Sequence, residues 1–189
     1  MKTIIITSLI TLAFINVSGQ NKSDTIKNID QKVQAMSKDT SYWISTMNNE
    51  AFLDTGFIKQ AGQGYGQLTG YFKNGKICII HELIGIKLQK DVAETEYYFS
   101  DGKLIFVYES ETFGPAVLTD SSSGSVHYII KGPDFEGRYY FLNDKLIKKE
   151  TKGKQQILPN ETYFDSQSKE GQLLLSAQKY KNLLSVKMK

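Results

Sequence analysis

Histidine and cysteine are the side chains that most often bind catalytic metals, and this chain has two histidines and one cysteine. The segment His81-Glu82-Leu83-Ile84-Gly85 begins like a zinc-protease motif, but glycine stands where the second histidine belongs. Zinc-binding histidines at i and i+4 must share one face of a helix, whereas the pattern around His81 favours a strand. We therefore predict no metal site and no cofactor.

Nucleophilic side chains are equally poorly placed. The serines of 121–125 lie just before His127, but they lack the Gly-x-Ser-x-Gly spacing of a strained nucleophile elbow. Cys78 lies in the apolar run 77–80, which is typical of a structural cysteine in a strand rather than of a thiolate in an electropositive pocket. We predict no catalytic residues, and a hydrolase that combines His81 or His127 with carboxylates ranks last among our hypotheses.

Carboxylates recur along the middle of the chain, at Glu94, Glu96, Glu109 and Glu111. If the surrounding hairpin closes with a two-residue turn, Glu96 lies opposite Val107, so Glu96 and Glu109 become neighbours across two strands. Paired carboxylates can hydrolyse glycosides. We prefer the simpler interpretation that these are solvated strand ends.

The elements that position the residues discussed above are indicated by a repeated pattern. Three segments share the sequence aromatic-Phe-x-Asn/Asp-Gly/Asp-Lys-Leu/Ile. They are 70–78, 97–105 and 139–147, with central pairs Asn74-Gly75, Asp101-Gly102 and Asn143-Asp144. Such pairs adopt the positive φ angles of a two-residue type I′ turn, so each segment is predicted to be a tight β-hairpin. Their unequal spacing favours a meander over a solenoid or propeller.

The two-residue turns also predict which side chains share a face, because side chains alternate along a strand. The expected pairs on one face are Phe72–Ile77, Phe99–Leu104 and Phe141–Leu146, and this apolar face is predicted to be core. The expected pairs on the other face are Tyr71–Cys78, Tyr98–Ile105 and Tyr140–Ile147. Tyrosine has an apolar body and a polar tip, so Tyr71, Tyr98 and Tyr140 are our candidate ligand-binding residues, on a face that is either covered by a helix or partly open.

Helical patterns flank the hairpins. An N-terminal stripe consists of Ile26, Ile29, Val33 and Met36, with Asp24 as the expected N-cap, and Tyr42, Trp43, Ile44 and Met47 favour a second short helix. A C-terminal stripe consists of Leu173, Leu174, Ala177, Tyr180 and Leu184, with Ser168 or Asp165 as the cap. Gly62, Gly64, Gly66 and Gly70 lack the spacing of a phosphate-binding loop and indicate a turn and a strand with close backbone approach.

The first residues have the three-part pattern of a secretory signal peptide, with a positive start at Lys2, the apolar run 4–17 and small residues before a cut after Gly19. The run is shorter than the ~20 apolar residues that span a bilayer, and no cysteine marks a lipoprotein. We expect 1–19 to be removed, 20–189 to form a single α+β domain without a membrane span, and the protein to be secreted or periplasmic.

The charge balance and the scarcity of arginine argue against a nucleic-acid partner. The formal net charge is +3, and Arg138 is the single arginine. Arginine is preferred for bidentate contacts with phosphates and bases, so we expect no nucleic acid. The expected partner is an unidentified protein or small-molecule ligand in the envelope or outside the cell.

The chain resembles uncharacterised secreted proteins of Bacteroidetes in three features. These are the signal peptide that ends in Ser-Gly-Gln, the lysine-rich composition, and repeated segments such as Tyr97-Tyr98-Phe99-Ser100-Asp101-Gly102-Lys103-Leu104-Ile105. The resemblance covers mainly 65–150. It implies an extracytoplasmic compartment and a hairpin fold, and it implies no activity.

The sequence thus predicts an α+β domain in which an N-terminal and a C-terminal helix flank one antiparallel meander. The leading hypothesis for function is a non-catalytic exported protein that binds a partner or ligand through its sheet face or loops. The alternative is a carrier that holds an apolar ligand between sheet and helix, in a cavity lined by residues such as Ile79, Phe106 and Leu174.

Overall fold

The computed structural model describes residues 15–48, 64–86, 91–114, 116–119, 126–129, 132–156 and 168–186. The first helix, α1, is Ile15–Lys38, and the last helix, α2, is Lys169–Val186. Neither of these described helices is both long and apolar enough to cross a membrane.

In the described part of the chain, nine strands lie between the helices. They are β1 Trp43–Asn48, β2 Gly64–Lys73, β3 Lys76–Ile86, β4 Asp91–Ser100, β5 Lys103–Thr112, β6 Ala116–Thr119, β7 Val126–Ile129, β8 Phe135–Leu142 and β9 Lys145–Gly153. Seven of them form one antiparallel sheet in the order β1-β2-β3-β4-β5-β8-β9, and β6 pairs with β7 in a separate hairpin. The predicted α+β fold with a single main meander is therefore confirmed.

The three predicted tight turns are present, at the tips of the hairpins β2-β3, β4-β5 and β8-β9. Positive φ angles occur at Asn74 (52°), Asp101 (52°), Asn143 (50°) and Asp144 (59°), and the following Gly75 and Gly102 are also positive. This is the pattern of a type I′ turn, whose backbone twist matches that of the strands. The turns explain why Phe72–Ile77, Phe99–Leu104 and Phe141–Leu146 pair as predicted.

The next pair in each hairpin departs from the prediction. Tyr71, Tyr98 and Tyr140 pair with Ile79, Phe106 and Lys148, and not with Cys78, Ile105 and Ile147. A register shift between the tyrosine and the phenylalanine leaves one extra residue on the returning strand, which is the definition of a β-bulge. The same bulge therefore occurs in all three hairpins, and beyond it every predicted pair is displaced by one residue.

One face of the sheet, called here the α1 face, carries Tyr71, Tyr98 and Tyr140 and packs against α1. Ile29 of the helix is buried with Tyr98 and Tyr140, and Ile26, Val33 and Met36 pack around them. The predicted apolar stripe is confirmed. The helix begins at Ile15, however, so Asp24 lies within it and is not its N-cap.

The opposite face, called here the α2 face, carries Phe72, Phe99 and Phe141 and packs against α2. All three phenylalanines are buried with the predicted helical stripe: Leu173, Ala177, Tyr180 and Leu184 are buried, and Leu174 packs at the margin. Ser168 caps the helix, because its Oγ accepts a hydrogen bond from the Gly171 amide at 3.3 Å. The alternative cap, Asp165, lies outside the described residues.

The segment predicted as a second short helix is a strand. Trp43, Ile44 and Met47 belong to β1, which pairs with β2 at Trp43↔Phe72 and Met47↔Leu68. Here cross-strand pairing overrides a local apolar pattern. The close approach predicted for the glycines is confirmed at Gly70, where a Cβ would lie 2.8 Å from Phe72 Cε2, whereas Gly62 lies outside the described residues.

Candidate functional site

The three tyrosines proposed as ligand-binding residues form one row across the sheet. Tyr71 pairs with Ile79, Ile79 with Tyr98, Tyr98 with Phe106 and Phe106 with Tyr140. The Phe106 ring lies between its two neighbours, with centroid distances of 5.8 Å to Tyr98 and 5.0 Å to Tyr140. The structure therefore brings the three residues together on one face, as predicted.

Helix α1 covers this row and binds its polar tips. The Tyr98 and Ser37 hydroxyls lie 3.0 Å apart, Tyr98 donates a hydrogen bond to Glu96 Oε2 at 2.6 Å, and Tyr140 donates to Asp30 Oδ1 at 3.0 Å. Burial raises the pKa of Tyr140 to about 12, with the Asp30 hydrogen bond as the second cause. In this conformation the helix engages the hydroxyls of Tyr98 and Tyr140, and the Tyr71 ring lies edge-on to Tyr42. Direct ligand binding by the three tyrosines remains a prediction.

A groove of about 340 Å³ opens beside the row, between α1 and the tips of the second and third hairpins. Its lining combines four apolar and four polar residues: Ile29, Ile105, Phe141 and Leu142 with Asp24, Thr25, Asn28 and Lys32. Leu142 is 47% exposed there, and it is the one exposed large apolar side chain of the described residues that borders this groove. Mixed lining of this kind is typical of small-molecule sites.

The predicted neighbouring carboxylates lie on opposite faces of the sheet. Because of the bulge, Glu96 pairs with Tyr108 rather than Val107, and Glu109 pairs with Thr95. A displacement by one residue moves a side chain to the other face. The prediction that Glu96 and Glu109 are neighbours is therefore wrong.

His81 lies in β3, as its strand-like pattern indicated, on the α1 face opposite Glu96. Its Nε2 is 3.9 Å from Glu94 Oε2 and, in the described part of the chain, has no hydrogen-bond partner. For His127 the structure describes the backbone alone, in β7, and the serines of 121–125 lie outside the described residues. The structure thus places one carboxylate, that of Glu94, beside His81.

The α2 face contains three buried carboxylates that the sequence analysis did not single out as a group. Glu82, Glu109 and Glu111 are 5%, 3% and 0% exposed. Glu82 and Glu109 flank Thr95 in one row across β3, β4 and β5. Burying a charge is costly unless it is paired, so the partners of each carboxylate decide whether its charged form is stable in the core.

Glu109 is paired with a cation. Lys169, the first residue of α2, donates to Glu109 Oε1 at 2.7 Å, and Gln155 Nε2 donates to Glu109 Oε2 at 3.2 Å. The Lys169 ammonium also lies 5.5 Å from the centre of the Tyr139 ring. The charges of this pair compensate each other within the core.

Glu82 is held by two phenols. The Tyr180 hydroxyl of α2 donates a short hydrogen bond to Oε1, and the Tyr97 hydroxyl lies 3.4 Å from Oε2. Burial raises the pKa of Glu82 to about 7, and the negative charge of Glu109 acts in the same direction. A sequence signal existed, since Glu82 and Glu109 are charged residues at inward-facing places of otherwise apolar strands.

These groups are enclosed between sheet and helix and do not form an open catalytic cleft. Among the described residues, no group of three or more His, Cys, Asp and Glu side chains is arranged to hold a metal ion. The residues expected to line a carrier cavity do not share one face, because Ile79 and Phe106 lie on the α1 face and Leu174 packs on the α2 face. Cys78 is half-buried beside α1, and burial raises the pKa of its thiol, which disfavours a reactive thiolate.

Comparison of the chain with protein-family models, characterised proteins and solved structures found no match.

Proposed function

We propose that this chain is an exported, non-catalytic binding protein that holds a small amphipathic ligand in the groove between α1 and the hairpin tips. The observation that carries the proposal is the half-exposed Leu142 in a concave site that also contains polar side chains. The signal-peptide pattern of residues 1–19 supports export. A folded domain would otherwise gain by burying Leu142, so a ligand that covers this side chain removes apolar surface from water.

The chemistry of the lining indicates the class of ligand. Ile105 of β5 and Leu142 of β8 offer apolar surface on the sheet side, whereas Ile29 and Phe141, which also border the groove, are buried. Thr25 and Asn28, on α1, offer hydrogen-bonding groups. An apolar body with at least one polar group fits such a lining better than a purely apolar or a highly charged molecule.

The charged residues of the groove have opposite signs. Asp24 and Lys32 both line it and lie about two turns apart on α1, which corresponds to about 12 Å along the helix axis. Lys32 Nζ is 3.4 Å from Ser100 Oγ of β4, so the ammonium is already directed at the sheet. A ligand with an anionic group would bind with that group near Lys32.

The proposal is tested with a fluorescent probe, anilinonaphthalene sulfonate, which combines an apolar aromatic body with an anionic group. The chain that begins at Gln20 is titrated with the probe, together with the variants Leu142→Glu and Leu175→Glu. Leu175 is a matched control, because it is 55% exposed but lies on α2, away from the groove. We expect Leu142→Glu to weaken probe binding at least tenfold and Leu175→Glu to leave it unchanged.

Equal probe affinity in both variants would contradict the groove as the binding site. Native mass spectrometry of the protein purified from the envelope of its own host then identifies the natural ligand class. A bound small-molecule mass that is lost in Leu142→Glu supports the proposal. If the chain carries no small molecule and co-purifies with another protein, the result favours a protein partner instead.

A further inference from the structure

The attachment of α2 to the sheet depends on a polar contact inside the core. Tyr180 lies in the middle of the apolar stripe of α2, yet its hydroxyl reaches across to the Glu82 carboxylate of β3. The Tyr180 ring also meets the Tyr97 ring edge-on, with centroids 5.8 Å apart. Glu82, Tyr97 and Tyr180 therefore form one connected cluster between the strand, its neighbour and the helix.

The titratable and charged groups that face Glu82 come from three elements. Strand β4 contributes Tyr97, strand β5 contributes Glu109, and α2 contributes Tyr180 and Lys179. On the side of β2 the cross-strand partner is the apolar Leu68. In the described part of the chain no lysine lies within ion-pair distance of Glu82, since Lys169 is bound to Glu109.

The two carboxylates of the row therefore differ in their electrostatic balance. A negative charge on Glu109 is matched by the ammonium of Lys169 at 2.7 Å. A negative charge on Glu82 meets two neutral phenols and the charge of Glu109, and the ammonium of Lys179 acts on it without forming an ion pair. A protonated Glu82 is neutral and still accepts the Tyr180 hydrogen bond. The docked helix thus favours the protonated form of Glu82.

We propose that Glu82, Tyr97 and Tyr180 act as a proton-controlled clasp, which fastens α2 to the sheet when Glu82 is protonated and loosens it when Glu82 is ionised. The clasp is independent of the groove, which lies on the opposite face under α1. Protonation of Glu82 thereby regulates the docking equilibrium of α2 on the sheet.

The direction of the effect follows from linkage. With α2 docked, the pKa of Glu82 is about 7, compared with 4.5 for an ordinary glutamate. When α2 leaves, Glu82 is hydrated and returns towards the ordinary value, so docking takes up a proton. The docking equilibrium therefore weakens as pH rises from about 4.5 to about 7, by a factor on the order of a hundred, and is constant above that range.

The test is hydrogen exchange of the α2 backbone amides in the full folded domain between pH 4.5 and pH 8, corrected for intrinsic exchange. In the wild-type chain we expect α2 to be less protected than β4 and β5, and its protection to fall on the order of a hundredfold across this range. In Glu82→Gln the protection of α2 should not depend on pH. The matched control is Glu136→Gln, which alters another glutamate bound by a tyrosine, Tyr108, at 2.9 Å on the α1 face.

A second variant keeps the proposal testable if Glu82→Gln fails to fold. Tyr180→Phe removes the hydrogen bond that favours the charged form of Glu82, so the midpoint of the α2 transition should move to higher pH. Loss of protection without any movement of the midpoint would indicate a packing role and would overturn the clasp. The same conclusion follows if wild-type α2 shows no pH dependence, if Glu136→Gln and Glu82→Gln behave alike, or if α2 exchanges with the same protection as the strands at every pH.

Discussion

The two faces of the sheet use similar side chains in opposite ways. On the α1 face, Tyr140 donates to Asp30 of the helix at 3.0 Å, and the accepting aspartate remains exposed. On the α2 face, Tyr180 of the helix donates to Glu82 of the sheet, and both groups are buried. The bond type is the same, and the burial of the acceptor differs.

Burial of the acceptor, rather than the identity of the partners, decides whether such a bond responds to pH. An exposed carboxylate is solvated in both protonation states, so a tyrosine bound to it adds a modest, constant stabilisation. A buried carboxylate loses its hydration in the charged form, which makes its protonation part of the folding equilibrium. The stability of the α2 face is therefore expected to depend on pH more strongly than that of the α1 face.

The largest expected contrast involves one lysine from each helix. Lys169→Ala leaves the buried charge of Glu109 without its cation, and we expect it to lower the free energy of unfolding by about 3–5 kcal/mol. Lys32→Ala removes an exposed lysine that reaches Ser100, and we expect a change below about 0.5 kcal/mol. Urea denaturation at constant pH measures both variants, and similar losses in the two would remove the proposed difference between the faces.

A contrast of intermediate size separates the faces by pH. The pKa of Glu82 is raised to about 7, so wild-type stability should be highest below about pH 4.5 as far as this group is concerned, and should fall as pH rises to about 7. Glu82→Gln abolishes this dependence. At pH 8 the variant should be more stable than wild type by up to about 3 kcal/mol, and at pH 4.5 nearly equal to it.

Thermal unfolding of both chains at pH 4.5 and pH 8 checks this expectation. A variant that is less stable than wild type by the same amount at the two pH values would show that Glu82 is ionised in the folded core.

The last prediction concerns a single hydrogen bond of the α1 face. Tyr140→Phe removes the hydrogen bond to Asp30 but keeps the ring against Phe106, and we expect a loss of about 1 kcal/mol. Urea denaturation provides the measurement. If the free energy of unfolding fell by about 3 kcal/mol or more, this hydroxyl would stabilise the fold as much as the buried contacts of the α2 face do, and the two faces would not differ.

Much of the fold could be predicted because its signals are local. The pairs Asn74-Gly75 and Asp101-Gly102 specify tight turns through their φ preferences, and the stripe that includes Ile29 specifies a helix through its spacing. The turns also place Tyr71, Tyr98 and Tyr140 at equivalent positions of their hairpins. These local features need no knowledge of what lies across the sheet, whereas the alignment of the three tyrosines in one row also needs the pairing of β3 with β4 and of β5 with β8.

The candidate site could be predicted only in part, because its remaining features depend on distant contacts. The extra residue at Ile105 has no local signature, and it places Glu96 and Glu109 on opposite faces of the sheet instead of the shared face that was predicted. The segment that contains Trp43 has a helix-like pattern, but pairing with β2 makes it a strand. The groove beside Leu142 requires the placement of α1 over two hairpin tips.

Propensity and periodicity act between near neighbours, so the amino-acid sequence is sufficient to specify the α+β class, the hairpins, the two flanking helices and the face on which the tyrosines lie. The tertiary structure alone decided that Glu82 meets Tyr180 and that Glu109 meets Lys169. These partners are far apart in the chain, and the free energy of a carboxylate depends on the water and charges that folding removes or brings near it.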